Sequence, residues 1–214
     1  MQMENTSPLD TDRAAPWTAD AASVPHPSSE PPAAAVPTLR LRPRVLVILH
    51  WLTVVCLVLA AALILTRDQV AGRSLRMWLL EGHRHAGLAV LALFFARLVY
   101  RVRLGRLPSD HDASALARAL AALVHLALYA MLFVQPLLGW ALSSAQGKPV
   151  HLFGATLPAL VGADEDRADA LQLYHQAGAW LLLALICLHV AAALWHHFVL
   201  RDGVLRAMLP ARRR

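Results

Sequence analysis

Histidine is the residue type with which this chain could do chemistry. Eleven histidines stand among 214 residues, and eight of them lie within or at the edges of long apolar stretches. Imidazole ligates metals and titrates near neutral pH, and an ionisable side chain at membrane depth is costly enough to suggest function. One such histidine is equally well explained by an interhelical hydrogen bond. A predicted site therefore has to rest on several histidines that agree in depth and in facing.

His175 and His189 bracket one of these stretches, HQAGAWLLLALICLH. Over their fourteen-residue separation an α-helix rises about 21 Å and completes nearly four turns. The two rings therefore share a helix face but lie at opposite depths, so they cannot hold one metal ion together. Each predicts a partner on another helix at its own depth.

Four apolar stretches are long enough to cross a bilayer as helices. They cover about 45–66, 82–102, 116–142 and 171–200. The predicted fold class is therefore all-α, an integral membrane four-helix bundle that occupies 40–210. The Pro- and Ala-rich stretch 1–39 is predicted to be a disordered cytoplasmic tail, and 211–214 a basic tail.

The basic residues predict the orientation of this bundle. With the N-terminus in the cytoplasm, thirteen arginines fall in inner segments and six basic residues in outer ones, as the positive-inside rule requires. Both termini are then cytoplasmic. The same clustering at the ends of apolar stretches explains the net charge of +6 and argues against nucleic-acid binding. The outer loop 143–170 carries an acidic segment, ADEDRAD, interpreted as either an amphipathic lid or a solvated connection.

Topology alone pairs the histidines. His50 lies near the start of the first helix, which enters the membrane from the inside, so its depth matches that of His189. His83 begins the second helix on the outside, so its depth matches that of His175. Two imidazoles from two helices are the axial ligands of a low-spin b-type haem. The sequence therefore predicts two haem b groups, one in each leaflet. No CxxCH motif occurs, so covalent c-type attachment is not encoded.

Several neighbouring residues fit this interpretation. Gly87 and Gly178 lie within one helical turn of the outer histidines, where missing side chains would let a flat macrocycle lie close. Arg97 follows His83 by fourteen residues and reaches the inner haem's depth on the same helix face. It is predicted to bind a haem propionate, with a cytoplasmic interface anchor as the alternative.

Other polar residues have more than one interpretation. His125 and Tyr129 lie one turn apart on the inner half of the third helix, where they would hydrogen-bond a propionate or a quinone, or form an ordinary interhelical bond. His85 points away from His83 and is predicted to be a secondary polar contact. His196 and His197 lie toward the cytoplasm and could simply mark the interface.

The order and spacing of the motifs carry a family resemblance. They are LHW at 49–51, HRHAG at 83–87 with Arg97, H-L-x-x-Y-x6-P-x-x-G at 125–139, YH at 174–175, LHVAAALWHH at 188–197 and RDGVLRAMLP at 201–210. Together they resemble the prokaryotic cytochrome b561 family, which includes superoxide oxidase, over about 40–210. The long N-terminal stretch departs from that pattern and indicates an additional partner.

The resemblance implies a function in the bacterial inner membrane. It makes His50 and His189 ligands of one haem, and His83 and His175 ligands of the other, in agreement with the pairing by topology. It further implies electron transfer with ubiquinone and, in the superoxide oxidase branch, superoxide oxidation at the periplasmic face. His196 and His197 would then lie near a quinone site.

The resemblance extends to the outer loop, in GKPVHLFGATLP at 147–158. Basic residues near it would attract an anion, although the acidic segment weakens such attraction. They are Arg73, Arg76, Arg84 and Lys148.

Two alternatives stay open. One is a cytochrome b membrane subunit that passes electrons between quinone and a partner dehydrogenase or periplasmic cytochrome. The other, of a different class, is a histidine-based metal transporter or sensor. The interiors of the four predicted spans contain no acidic residue, which disfavours the transporter.

Overall fold

A computed structural model describes residues 43–104, 114–152 and 154–209, all within one compact unit, Leu39–Arg214. This part of the chain is mostly helical. Its four long helices are α1 (Arg44–Gln69), α2 (Arg73–Leu104), α3 (Ala115–Ala145) and α4 (Glu165–Trp195). The predicted tails 1–39 and 211–214 lie outside the described residues.

Three helical segments are long and apolar enough to cross a membrane, namely Arg44–Gln69, Ala115–Ala145 and Glu165–Leu200. The second helix, α2, has 32 residues, about 48 Å, and begins nine residues before the predicted span. It is not among these three helices, and Arg84 and Arg97 bound an apolar stretch of only twelve residues. Length therefore does not distinguish α2 from the other three helices.

Most of the acidic segment before the fourth span belongs to α4, so it is not a solvated connection. The Asp164 carboxylate accepts a hydrogen bond of 2.8 Å from the backbone N–H of Arg167, which caps the helix. Glu165 and Asp166 occupy its first turn, where negative charge offsets the positive end of the helix dipole. The acids thus define where α4 begins.

The connection from α3 to α4 is held by hydrogen bonds to the end of α3. The Trp140 indole donates to the carbonyl of Pro158 at 3.2 Å, and the Ser144 hydroxyl accepts from the N–H of Leu160 at 3.1 Å. Between them lies an unpredicted antiparallel hairpin, β1 (His151–Leu152) and β2 (Ala155–Thr156). Strands of two residues are too short to give a period-2 pattern in sequence.

The helices pack as two pairs, α1 with α2 and α3 with α4, and α2 with α3 joins the pairs. Phe94 of α2 lies 5.4 Å from Phe133 and 6.1 Å from Tyr129 of α3, between ring centroids. Large apolar side chains face outward, such as Leu65 and Trp180 at 68% exposure each. Lipid covers such surfaces in a membrane bundle.

The chain turns back toward α1 after α4. A π-helical turn, His196–Leu200, extends α4 and ends where Arg201 adopts a left-handed conformation at φ 52°. A short 3-10 turn, Arg206–Met208, follows. The Trp51 indole N–H donates to the carbonyl of Met208 at 2.8 Å, which ties this C-terminal segment (201–209) to the beginning of α1.

Candidate functional site

The outer histidines meet between α2 and α4. The ring centroids of His83 and His175 lie 6.1 Å apart, and the ring planes are perpendicular at 90°. Two imidazoles on opposite sides of one metal ion, each with a bond of about 2 Å, have a similar separation once the ring radii are added. The pair therefore has the spacing that a shared metal centre requires.

The tautomer of His83 also suits a ligand. Its Nδ1 lies 2.8 Å from the carbonyl oxygen of Ala60 in α1; a carbonyl only accepts, so Nδ1 carries the proton and donates. Nε2 then keeps its lone pair for a metal. Histidine ligands are commonly oriented by such a bond from the second ring nitrogen.

Glycines around this pair have different roles. A Cβ at Gly139 would lie 3.1 Å from Cε1 of His175, so the missing side chain lets that ring approach α3. A Cβ at Gly87 would meet no described atom within 4 Å, in line with the predicted room for a macrocycle. At Gly178 the space beside the missing side chain is occupied by the Gln135 amide oxygen.

The inner histidines form a cluster of three rings. His50 of α1 and His189 of α4 have centroids 6.3 Å apart, close to the distance in the outer pair, with planes at 65° rather than 90°. His125 of α3 lies only 5.3 Å from His189. The His125 Nδ1 donates to the carbonyl of Ala121, one turn back on its own helix, at 2.6 Å.

Arg97 lies in the same inner region. Its guanidinium carbon is 5.6 Å from the centroid of the Tyr129 ring, within cation–π range. Across the described ranges, no carboxylate forms an ion pair with Arg97. A cation inside an apolar bundle without a protein carboxylate fits the predicted haem propionate partner.

The C-terminal end of α4 holds a pair that the sequence analysis missed. The His196 Nδ1 hydrogen-bonds the Asp202 carboxylate, whose other oxygen accepts from the N–H of Val204 at 3.0 Å. Partial burial alone would raise the pKa of Asp202, but the bonds from His196 and Val204 and the nearby His196 and His197 charges hold it below its ordinary value. The acid in RDGVLRAMLP was the signal that could have revealed it.

Two charged residues of the outer end, Arg84 and Glu81, are paired with each other. Arg84 lies 3.1 Å from the Glu81 carboxylate, and its side chain is only 10% exposed. The His85 Nδ1 donates to the Glu81 carbonyl at 2.8 Å, consistent with a secondary polar contact. Lys148 donates to the Gln146 amide oxygen at 3.1 Å. Arg84 is therefore a weaker attractor of anions than the sequence suggested.

Each histidine pair offers two ligands. Within 43–104, 114–152 and 154–209, no group of three or more His, Cys, Asp or Glu side chains is arranged to hold a metal ion. A bare ion needs three or four protein ligands, whereas a haem brings four nitrogens and takes two axial imidazoles. The donor sets therefore fit haem better than a naked metal.

Comparison with known proteins agrees with the motif pattern. Residues 41–211 match the family model described as prokaryotic cytochrome b561. The chain is 32% identical over 165 residues to the probable superoxide oxidase CybB of Yersinia pestis, which covers 77% of this chain and 93% of the relative. It is 30% identical over 166 residues to cytochrome b561 homolog 1 of Escherichia coli (strain K12), covering 77% and 94%. Cytochrome b561 homolog 2 of the same organism is 37% identical over 137 residues, covering 60% and 69%.

Proposed function

The chain belongs to the prokaryotic cytochrome b561 family, and from that premise we propose that it carries electrons across the bacterial inner membrane through two bis-histidine b haems. Membership makes it a bacterial membrane electron-transfer protein. The finer steps are the proposal: oxidation of superoxide at the periplasmic face and reduction of ubiquinone. The resemblance inferred from the motifs is thereby confirmed at the level of the family.

The observation that carries the proposal is the repetition of one ring-to-ring distance in two histidine pairs. The His83–His175 and His50–His189 centroid distances, 6.1 and 6.3 Å, differ by far less than a bond length. When bound, haem supplies a one-electron carrier that tolerates an apolar surround. His83 and His175 would hold the outer group, and His50 and His189 the inner one, with Arg97 beside an inner propionate.

The orientation follows from charge. All four long helices would cross the membrane, with α2 as the fourth span despite its charges. The C-terminal end of α2 and the N-terminal end of α3 hold Arg101, Arg103 and Arg118. By the positive-inside rule these ends, and with them both termini, would face the cytoplasm. The hairpin and the connection to α4 would then lie in the periplasm.

The proposed reaction balances as two one-electron oxidations and one two-electron reduction. Two superoxide anions each lose one electron and leave as dioxygen. One ubiquinone takes up both electrons and two protons to form ubiquinol. The similarity to a protein named probable superoxide oxidase supports the donor, and the chain's own residues must supply the path for the protons.

Polar groups at the inner end are suited to a quinone. The His196–Asp202 pair joins a hydrogen-bonding imidazole to a carboxylate that solvent reaches, since each side chain is more than one third exposed. His197 lies beside it with a buried Nδ1 that has no hydrogen-bond partner among the described residues. We assign the quinone carbonyl contacts to His196 and His197, with His125 and Tyr129 as the membrane-side contacts.

A spectrum of the purified protein tests the proposal. We expect a reduced low-spin b-type spectrum with two haems per chain. His175→Ala should remove one haem and leave the other. Retention of both haems in His175→Ala would show that the pairing is wrong, and no haem in the wild-type protein would remove the electron-transfer function altogether.

Superoxide addition separates the two redox alternatives. With ubiquinone present, the isolated protein should become reduced at once and should form ubiquinol catalytically. A haem-loaded protein that is inert toward superoxide but is reduced by ubiquinol would instead be a cytochrome b subunit awaiting a dehydrogenase or a periplasmic cytochrome.

A further inference from the structure

Gln135 is an amide within the apolar third span that neither the motifs nor the proposed site uses. Its Nε2 donates to the backbone carbonyl of His175 at 2.7 Å. Because a carbonyl only accepts, this contact fixes which end of the amide is nitrogen and which is oxygen. The glutamine thus links α3 to α4 at the residue proposed as an outer haem ligand.

The other end of this amide is buried and unsatisfied. Among the described residues, neither Oε1 of Gln135 nor Nδ1 of His175 has a hydrogen-bond partner, and both atoms are buried. An unpaired buried polar atom destabilises the fold. One of these atoms is an acceptor and the other becomes a donor when Nε2 of His175 ligates a metal.

The two atoms lie at the same junction of α3 and α4. Gly139 follows Gln135 by four residues and so lies on the same helix face. A Cβ at Gly139 would be 3.5 Å from Nδ1 of His175. The ring therefore rests on α3 one turn beyond the residue that supplies the amide.

Gly178 makes the space for the amide. A Cβ at this position would overlap Oε1 of Gln135 and would lie 3.4 Å from its Cδ. Any side chain at 178 would therefore force the amide to move. Gln135 and Gly178 therefore act together, because the missing side chain of the glycine leaves room for the amide oxygen close to the helical turn that carries His175.

His83, the proposed ligand on the opposite side, has the Nδ1 hydrogen bond that His175 lacks. His83 donates through Nδ1 to the carbonyl of Ala60 at 2.8 Å, so its outward bond is made by the backbone. A ligand histidine that donates to an acceptor is fixed in orientation and becomes more basic. His175 needs an equivalent acceptor, and Gln135, which already donates to the His175 carbonyl, carries an unsatisfied one.

We propose that the Gln135 amide carbonyl accepts the Nδ1–H of His175 when the outer haem is bound, and that Gln135 is thereby a positioning residue that tunes this ligand. The inference rests on the proposed function, since it requires His175 to be an axial ligand. It differs from the His83 site in one useful respect: the acceptor is a side chain, so a substitution can remove it.

The electronic consequence has a definite sign. An imidazole that donates a hydrogen bond from Nδ1 gives more electron density through Nε2, which favours the ferric state. Loss of the acceptor should therefore raise the midpoint potential of the outer haem. The inner haem would be bound by other ligands, His50 and His189, so its midpoint potential should stay unchanged.

Gln135→Met tests this, because methionine keeps the unbranched length and removes both polar atoms. Redox titration should show the outer potential shifted upward and the inner one unmoved, with a changed low-spin ferric EPR signal for the outer haem only. His175→Ala, which retains only the inner haem, assigns the two components. Gln172→Met is the matched control, an exposed glutamine one turn before His175, and should leave both potentials at their wild-type values.

Gly178→Ala provides the second measurement with the glutamine intact. The added methyl displaces the amide oxygen, so the outer potential should shift in the same direction as in Gln135→Met. If Gln135→Met loses its outer haem, the potential measured in Gly178→Ala is the test of the proposal. Wild-type potentials and EPR signals in a haem-loaded Gln135→Met or Gly178→Ala protein would overturn the proposal, whereas a wild-type protein without haem would overturn the proposed function instead.

Discussion

The imidazole of His189 lies nearer to His125, at 5.3 Å between ring centroids, than to His50, at 6.3 Å. Proximity alone would therefore choose His125 as its partner. The longer distance, however, matches the 6.1 Å of the outer pair and leaves room for a metal between the rings. We expect His50 and His189 to be the inner ligands, with His125 as a neighbour.

Alanine substitutions distinguish these two partners of His189. His50→Ala should lower the haem content from two to one per chain, because an axial ligand is lost. His125→Ala should retain both haems. Haem content per chain by reduced pyridine haemochrome spectra measures this, and the reverse pattern would assign the inner ligand to His125.

Removal of the Arg97 charge should lower the potential of the inner haem. Reduction adds one negative charge, which a nearby cation stabilises by on the order of 1–2 kcal/mol. Arg97→Met should lose this stabilisation, and Arg97→Lys should recover part of it. Arg101→Met, an exposed arginine on the same helix, serves as the control in the redox titration; equal shifts in both variants would mean a general surface effect.

A side chain at Gly139 should damage the outer site selectively. The Cβ would lie 3.1 Å from Cε1 of His175, so valine would push the ring out of position. Gly139→Val should keep the inner haem and lose the outer one. Gly162→Ala is the control, because a Cβ there meets no described atom within 4 Å. An outer haem that survives in Gly139→Val would show that the ring can move without losing its metal.

The His196–Asp202 contact should give the C-terminal segment (201–209) a pH-dependent stability. The pKa of Asp202 lies below its ordinary value of 3.8, so the stabilisation is complete above that value and is lost as the pH falls through the lower folded pKa. Because both side chains are partly exposed, the contribution is about 1 kcal/mol or less.

Hydrogen exchange of the backbone amides in this segment measures the effect. Asp202→Asn should exchange faster than the wild type at pH 7, and the difference should shrink as the pH approaches 3. A difference that persists unchanged at low pH would mean that the carboxylate charge is not its cause.

The sequence by itself predicted the helices and the depths of the histidines. Long apolar stretches have a length that the bilayer dictates, and a fourteen-residue spacing has a helical rise that geometry dictates. That was enough to separate His175 from His189 and to match each with a histidine at its own depth. The order of the motifs along the chain was enough to predict the family.

Tertiary structure decided the contacts that depend on which helix faces which. Gln135 and Gly178 are 43 positions apart in the sequence, and the predicted empty space at Gly178 is filled by an amide that only packing of α3 on α4 brings there. Arg84 was predicted to attract an anion but is paired with Glu81, one turn away. Trp51 meets Met208 only because the chain folds back after α4. Such contacts produce no periodic pattern in the sequence, because the fold brings together residues that are far apart along the chain.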